Sequence, residues 1–264
     1  MSASDHLKAG RLNEAVAEAQ AAVRSRPQDQ ASRYLLAELM CFTGELEKAD
    51  KQLDALGELD PKQMMTVSMF RQLIRSEQAR EQFYQDGRVP EFIDTPTPDM
   101  EQRLRASLLI REGNLAEAGR VLAAAEAQRT PVTGTCDGKP FAEFRDLDDL
   151  TAAFFEIYTA TGKYYWLPFE KIEEIEFRPP ERSRHLLWRS ARLTHRDGPE
   201  IEVHLPALYA GSARQDDVQC QLGRMTNWLG GDGEPMRGVG QRTFLIDDEA
   251  RGIMEITSIT FTAS

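Results

Sequence analysis

The chain is short of cysteine and lacks the signals that would anchor it, export it or hold it to a nucleic acid. Three cysteines in 264 residues, Cys41, Cys136 and Cys220, stand far apart with no Cys-x-x-Cys spacing. That excludes a disulfide framework and a zinc site of paired thiolates, and predicts reduced thiols in a cytosol. No run approaches the roughly 18 apolar residues of a membrane-spanning helix. The start, Met-Ser-Ala-Ser-Asp-His, lacks a basic region followed by an apolar stretch. A soluble, cytoplasmic chain with no membrane partner is expected. Acidic residues outnumber basic ones by 43 to 32, a formal charge of -11, and Lys and Arg cluster in neither half. Contact with DNA or RNA then has little electrostatic driving force, so no nucleic-acid partner is expected.

Catalytic signatures are equally scarce. The runs Gly230-Gly231-Asp232-Gly233 and Gly238-Val239-Gly240 lead into no Gly-Lys-Ser/Thr and read as mobile connectors. There is no Gly-x-Ser-x-Gly elbow, and no cysteine sits beside a histidine. Of the four histidines, His6, His185, His195 and His204, two flank the expected Asp197-Gly198 hairpin. His204 faces Ala191 if that loop has two residues and Leu193 if it has four, and the pattern leaves the register open. The pairs Asp148-Asp149 and Asp247-Asp248 fall where turns or strand ends are expected and read as solvated carboxylates. Arg189 and Arg192 either pair with Glu200 or Glu202 across the hairpin or receive a partner's acidic group. No catalytic residue, cofactor or metal ligand is assigned.

What the chain has is a repeat. Gly10-Arg-Leu12-Asn-Glu-Ala15 returns as Gly44-Glu-Leu46-Glu-Lys-Ala49 and as Gly113-Asn-Leu115-Ala-Glu-Ala118. The first two copies are 34 residues apart, each with a Pro (Pro27, Pro61) seventeen residues past its Gly, the period of a tetratricopeptide array. Gly permits a tight reversal between antiparallel helices, the Ala five residues on lets them approach, and Pro ends the second helix. Leu36, Ala37 and Met40 then fall on the first helix of the second unit, with Ala49, Leu53 and Leu56 on its second. The stretch from Lys62 to Pro90 has Gln78 where a turn Gly is expected and reads as a degenerate unit with an apolar stripe.

Composition changes at the turn-rich run Thr130 to Pro140, a boundary signal. Strands are expected at Phe154 to Tyr158 and Lys163 to Leu167 around Thr161-Gly162, at Ile172 to Phe177, and at Trp188 to Arg196 and Ile201 to Leu205. Two more are expected at Arg242 to Ile246 and Gly252 to Phe261. Val218, Leu222, Met225 and Leu229 share one helical face, which predicts a helix over Asp216 to Leu229. The fold class is therefore α+β. A tetratricopeptide-like array over residues 1–133 precedes a compact, mainly antiparallel β domain with one helix, a sheet or partly open barrel, over 134–264.

The series Tyr164-Tyr165-Trp166-Leu167-Pro168-Phe169, Pro179-Pro180, Leu187-Trp188-Arg189-Ser190-Ala191-Arg192, Asp197-Gly198 and Leu205-Pro206-Ala207-Leu208-Tyr209 resembles the ImpE/SciE family, also called TagJ, of bacterial type VI secretion clusters. The order of helical array and β domain resembles it too. The resemblance implies a non-enzymatic accessory protein that binds the N-terminal helix of the small sheath subunit TssB, with a link to the sheath-recycling ATPase ClpV.

In stacked helical pairs the first helix of each unit lines the concave face. That offset predicts a groove lined by Tyr34, Leu35, Glu38 and Phe42, then Met69, Gln72, Arg75, Arg103 and Arg111. Apolar centres with Arg at the edges suit an amphipathic helix with an acidic flank. The alternative is that Tyr34 and Phe42 pack between helices and the arginines are solvated. A competing function of another class is a catalytic or ligand-binding β domain regulated by the helices, with a pocket near Trp188, Arg192 and Tyr209.

Overall fold

In the computed structural model, which describes residues 1–262, seven helices precede the first strand. They are α1 (Ala3–Lys8), α2 (Leu12–Ser25), α3 (Gln30–Phe42), α4 (Leu46–Leu59), α5 (Met64–Asp86), α6 (Pro98–Arg111) and α7 (Leu115–Gln128). Helix α1 packs on α2, α3 on α4 and α6 on α7. The three repeat glycines, Gly10, Gly44 and Gly113, sit between these pairs at φ of 75°, 72° and 76°, the left-handed region where a side chain is strained. The alanines five residues on, Ala15, Ala49 and Ala118, are fully buried where the helices touch. Between the second and third pairs the degenerate unit is one 23-residue helix, α5, with Gln78 in its interior. Neither Gly nor Pro interrupts it until Gly87 caps its end at φ 81°.

The second half carries thirteen short strands among the described residues. They run β1 (Gly134–Cys136), β2 (Lys139–Phe141), β3 (Phe144–Asp146), β4 (Phe154–Tyr158), β5 (Tyr164–Pro168), β6 (Ile172–Phe177) and β7 (Trp188–His195). Then follow β8 (Glu200–Pro206), α8 (Val218–Gln221), β9 (Thr226–Leu229), β10 (Arg237–Gly240), β11 (Thr243–Ile246), β12 (Glu249–Gly252) and β13 (Ser258–Phe261). Eight strands form one antiparallel sheet in the order β2-β1-β13-β6-β7-β8-β4-β5, with a three-stranded β12-β11-β3 sheet and a β9-β10 hairpin beside it.

Several details differ from the sequence reading. The helix expected over Asp216 to Leu229 stops after four residues, because Gly223 at φ 64° breaks it and the rest turns into β9. The glycines after it belong to the β9-β10 hairpin, where a Cβ on Gly238 would lie 2.2 Å from the Tyr209 ring. At the Asp197-Gly198 hairpin Thr194 pairs with Glu200, so His204 faces Ser190, neither of the two residues expected. Strand β1 and the start of β2 fall in the run read as turns, and β3 was not expected.

Two apolar clusters hold the chain together. One fills the β half between its sheets, around Phe144, Phe155, Phe169, Ile175 and Leu193. The other starts at Leu12 and Leu36, runs through Phe70, Leu73 and Phe83 of α5, and continues without a break into Phe154, Tyr158, Trp166, Trp188 and Leu208. The helices therefore share a core with one face of the sheet. The linker after α5 adds to this seam: Glu91 N donates to Tyr164 O at 2.9 Å and Glu91 O accepts from Trp166 N at 3.2 Å, extending the sheet past β5.

Candidate functional site

The shared core decides what happens to the expected groove, because the β half covers most of the concave face. Phe42 is fully buried and Glu38 is 5% exposed. Tyr34 tilts against Phe70 with ring centroids 5.4 Å apart, under the guanidiniums of Arg182 and Arg184. Gln72 and Arg75 lie beneath the Gly162 turn of the β4-β5 hairpin. Arg103 is fully buried and donates to Asp149 O at 2.6 Å, with Asp99 at 3.0 Å and Glu126 at 3.3 Å. Arg111 donates to Phe83 O at 3.2 Å on the far side of α5. The nine residues thus do not line one open trough. Phe42 and Arg103 are interior, because Phe42 joins the shared core and Arg103 ties α6 to the loop before β4. Tyr34, Leu35 and Glu38 do come together at an opening of about 610 Å³, which Val67 and Arg182 also line. Met69 stands outside it, 53% exposed.

Sequence reasoning missed the centre of the seam. Glu156 on β4 is fully buried and receives a bidentate pair from Arg80 of α5, at 2.9 and 2.8 Å. Arg242 also donates to it, as do the hydroxyls of Tyr84 at 3.1 Å and Tyr164 at 2.5 Å. Burial pushes the Glu156 carboxyl up, but the charges of Arg80 and Arg242 and their hydrogen bonds outweigh it and hold the group at about 2. Beside it Glu77 accepts from Tyr158 OH at 2.6 Å and Trp188 Nε1 at 2.7 Å. Beyond Arg242, Asp146 accepts from Tyr209 OH at 2.6 Å, and Asp148 takes the amides of Leu150 and Gly238. Asp148 is therefore no solvated turn residue; burial and then the charge of Asp146 push it up to about 7. One signal was available: a lone Glu inside Phe154-Phe155-Glu156-Ile157-Tyr158 breaks an unbroken apolar run.

At the other end of the seam the fit is poorer. The 3₁₀ turn Ser183–Leu186 crosses the concave face and brings Arg184 to 3.7 Å from Glu38, too far for a hydrogen bond. Glu38 Oε1 and Arg184 Nε and Nη1 are buried without hydrogen-bond partners. Burial, opposed by Arg182, raises Glu38 to about 7, and burial lowers Arg184 to about 10. Neither member gains what the Glu156 network supplies.

No group of three or more His, Cys, Asp or Glu side chains among the described residues is arranged to hold a metal. Burial raises all three thiols, Cys136 to about 11. Burial lowers His204 to about 4. Arg192 pairs with Glu176, and with Glu200 at 3.6 Å across the hairpin, whereas Arg189 is buried over Phe177 and donates to Ile253 O. A cleft of about 300 Å³ does open beside Trp188 and Tyr209, and Arg192 is not part of it. No helix among the described residues is long and apolar enough to cross a membrane.

Comparison with known proteins agrees with this architecture. Residues 6–66 match a tetratricopeptide repeat model and residues 138–260 match the model of the ImpE protein family. The chain is 31% identical over 262 residues to the type VI secretion system accessory component TagJ of Pseudomonas aeruginosa, covering 99% of this chain and 91% of that protein. A crystal structure of a Vibrio parahaemolyticus protein, 23% identical, superposes with a TM-score of 0.92 over 99% of this chain and 98% of that one, which establishes the shared fold. The repeat glycines, the β half and the end-to-end likeness to TagJ together make this chain a member of the ImpE family of type VI secretion accessory components.

Proposed function

We propose that the chain is a non-enzymatic, cytoplasmic adaptor of a type VI secretion system that captures an amphipathic helix of the small sheath subunit TssB and links it to recycling by ClpV. The observation that carries the reading is the part of the concave face left uncovered. There α5 and its N-cap Gln63 line the opening at Tyr34, Leu35 and Glu38, the helix through Thr66 and Val67, and elsewhere on its surface α5 exposes Met64, Met65 and Met69, at 61%, 78% and 53% exposure. A second hollow of about 370 Å³ between α4 and α5 is lined by Leu53, Met64, Val67 and Arg75. Val67 lines both hollows, so a helix laid across it meets them together, and unbranched methionine side chains nearby on α5 adapt to an incoming apolar face. Glu38 offers a buried acceptor to a basic side chain on that helix, while Arg75 and Gln72 meet its polar flank. Phe42, Arg103 and Arg111 take no part.

Calorimetry of the full chain with a synthetic TssB N-terminal helix tests the proposal. Saturable heat is expected, and the double substitution Met65→Asp with Met69→Asp should weaken binding at least about tenfold, since each places a charge in an apolar contact. Absence of heat at millimolar peptide, or an unchanged affinity in the double variant, would remove the proposal. Recovery of ClpV only when TssB is present is the expected result of a three-component pull-down.

A further inference from the structure

Most sheltered arginines of this chain meet a carboxylate: Arg80 and Arg242 meet Glu156, Arg71 meets Asp50, Arg129 meets Glu126 and Arg251 meets Asp137. Two arginines around the cleft beside Trp188, Arg237 and Arg111, depart from that pattern, and a third, Arg214, stands exposed at its rim. Arg237 has a buried Nε without a hydrogen-bond partner. Arg111 donates to Phe83 O and, at 3.4 Å, to Ser107 Oγ, both uncharged. Arg214, 57% exposed, has Glu81 3.8 Å away as a loose, solvated ion pair. The three stand around a floor made by Trp188, Leu187 and Leu208; of the two carboxylates that also line the cleft, Glu77 is engaged by Tyr158 and Trp188, and Glu81 lies beside Arg214. A sheltered guanidinium left without an acceptor is destabilising, and a carboxylate is the group its planar fork matches best.

The cleft also has an apolar continuation. Under β10 it adjoins a smaller cavity of about 70 Å³ that shares Tyr84, Ile110 and Arg111 with it and reaches Leu229 and Val239. On the hairpin outside, Met225, Trp228, Leu229 and Met236 are 39%, 38%, 40% and 41% exposed. A small inorganic or phosphate-bearing ligand would satisfy the arginines and leave this strip bare. An extended peptide covers both.

We infer that the cleft between α5, the end of α6 and the β9-β10 hairpin is a second protein-docking site, for an extended segment with an acidic side chain beside a large apolar one. The carboxylate is received by Arg237, with Arg111 and Arg214 at the rim, and the apolar side chain lies on Trp188 and Leu208. This site shares no lining residue with the opening at Tyr34 and Glu38, so it does not depend on the helix-binding proposal.

The test is nuclear magnetic resonance of the ¹⁵N-labelled full chain, following the Arg237 Nε–H and Trp188 Nε1–H signals. The probe is the capped peptide acetyl-Phe-Asp-Leu-Glu-amide, with acetyl-Phe-Asn-Leu-Gln-amide and inorganic phosphate as comparisons. The acidic peptide should shift both signals saturably, and its neutral counterpart should bind at least about tenfold more weakly. Arg237→Gln and the exposed, fold-neutral Arg214→Ala should each weaken the acidic peptide, while the Met65→Asp, Met69→Asp double variant leaves it unchanged. Equal binding of the neutral peptide, equal shifts with phosphate alone, or no saturable shift at millimolar peptide would overturn the inference.

Discussion

Glu156 and Glu38 are both carboxylates withdrawn from water on the seam between helices and sheet, at 0% and 5% exposure. One is held at about 2 by two guanidiniums and several hydrogen bonds; the other rises to about 7 with its arginine 3.7 Å away. Burial alone therefore says little about what a charge does. At the Glu156 end both carboxylate oxygens are met by guanidinium donors of the same chain, although Arg242 Nε and Nη1 and Asp146 Oδ2 beside them lack a hydrogen-bond partner. The end at Glu38 leaves acceptors and donors unused beside an opening, which is where an outside helix would complete them.

The largest test of this contrast is the removal of Glu156. Glu156→Ala strands Arg80 and Arg242 in the interior and should cost about 3–5 kcal/mol in chemical denaturation. A loss no larger than that from Glu38→Ala would erase the distinction between the two ends. Next comes acid. The Glu156 carboxyl is depressed in the folded chain, so its stabilisation is complete above its ordinary value of 4.5 and is lost as pH falls towards about 2. A decline of about 3 kcal/mol from this group is expected across that window, and Glu156→Gln should flatten it.

Glu38 and Asp148 behave oppositely. Their raised values mean that the folded chain holds protons the unfolded chain has released, so stability declines as pH rises from 4.5 for Glu38 and 3.8 for Asp148 through about 7. Glu38→Gln imitates the protonated form and should stabilise the chain by on the order of 1 kcal/mol at pH 8 and hardly at all near pH 4. Equal effects at both pH values would show that Glu38 is well paired after all. The smallest effect belongs to the exposed methionines of α5: Met65→Asp with Met69→Asp should change stability by no more than about 0.5 kcal/mol, since neither side chain is packed.

The parts of the fold legible in the sequence were those that a backbone requirement writes directly. Gly10, Gly44 and Gly113 were readable because the turns need a left-handed residue, and strands β4 to β8 because turn residues interrupt apolar runs. The long helix α5 was also written, in that Gln78 cannot make the turn, yet the expected period argued against taking that literally. Helical spacing at Val218, Leu222, Met225 and Leu229 misled because Gly223 between them outweighs it. The seam was the least readable part. Arg80, Glu156 and Arg242 are far apart in the chain, and although Glu156 stands out within its apolar run, nothing local names Arg80 and Arg242 as its partners. The groove assignment fails at Phe42 and Arg103 for the same reason, since nothing local says that another segment of the same chain will lie across them.

Because helices and sheet share one core, the order of synthesis has a consequence. Arg80 leaves the ribosome 76 residues before Glu156 and 162 before Arg242, with Phe70 and Phe83 beside it awaiting Trp188 and Trp166. At roughly 5–20 residues per second the nascent array spends on the order of ten seconds with its inner face bare. Newborn chains are thus most open to a chaperone, or to clumping with one another, during that interval, and truncations ending before β11 should be recovered mainly as insoluble material.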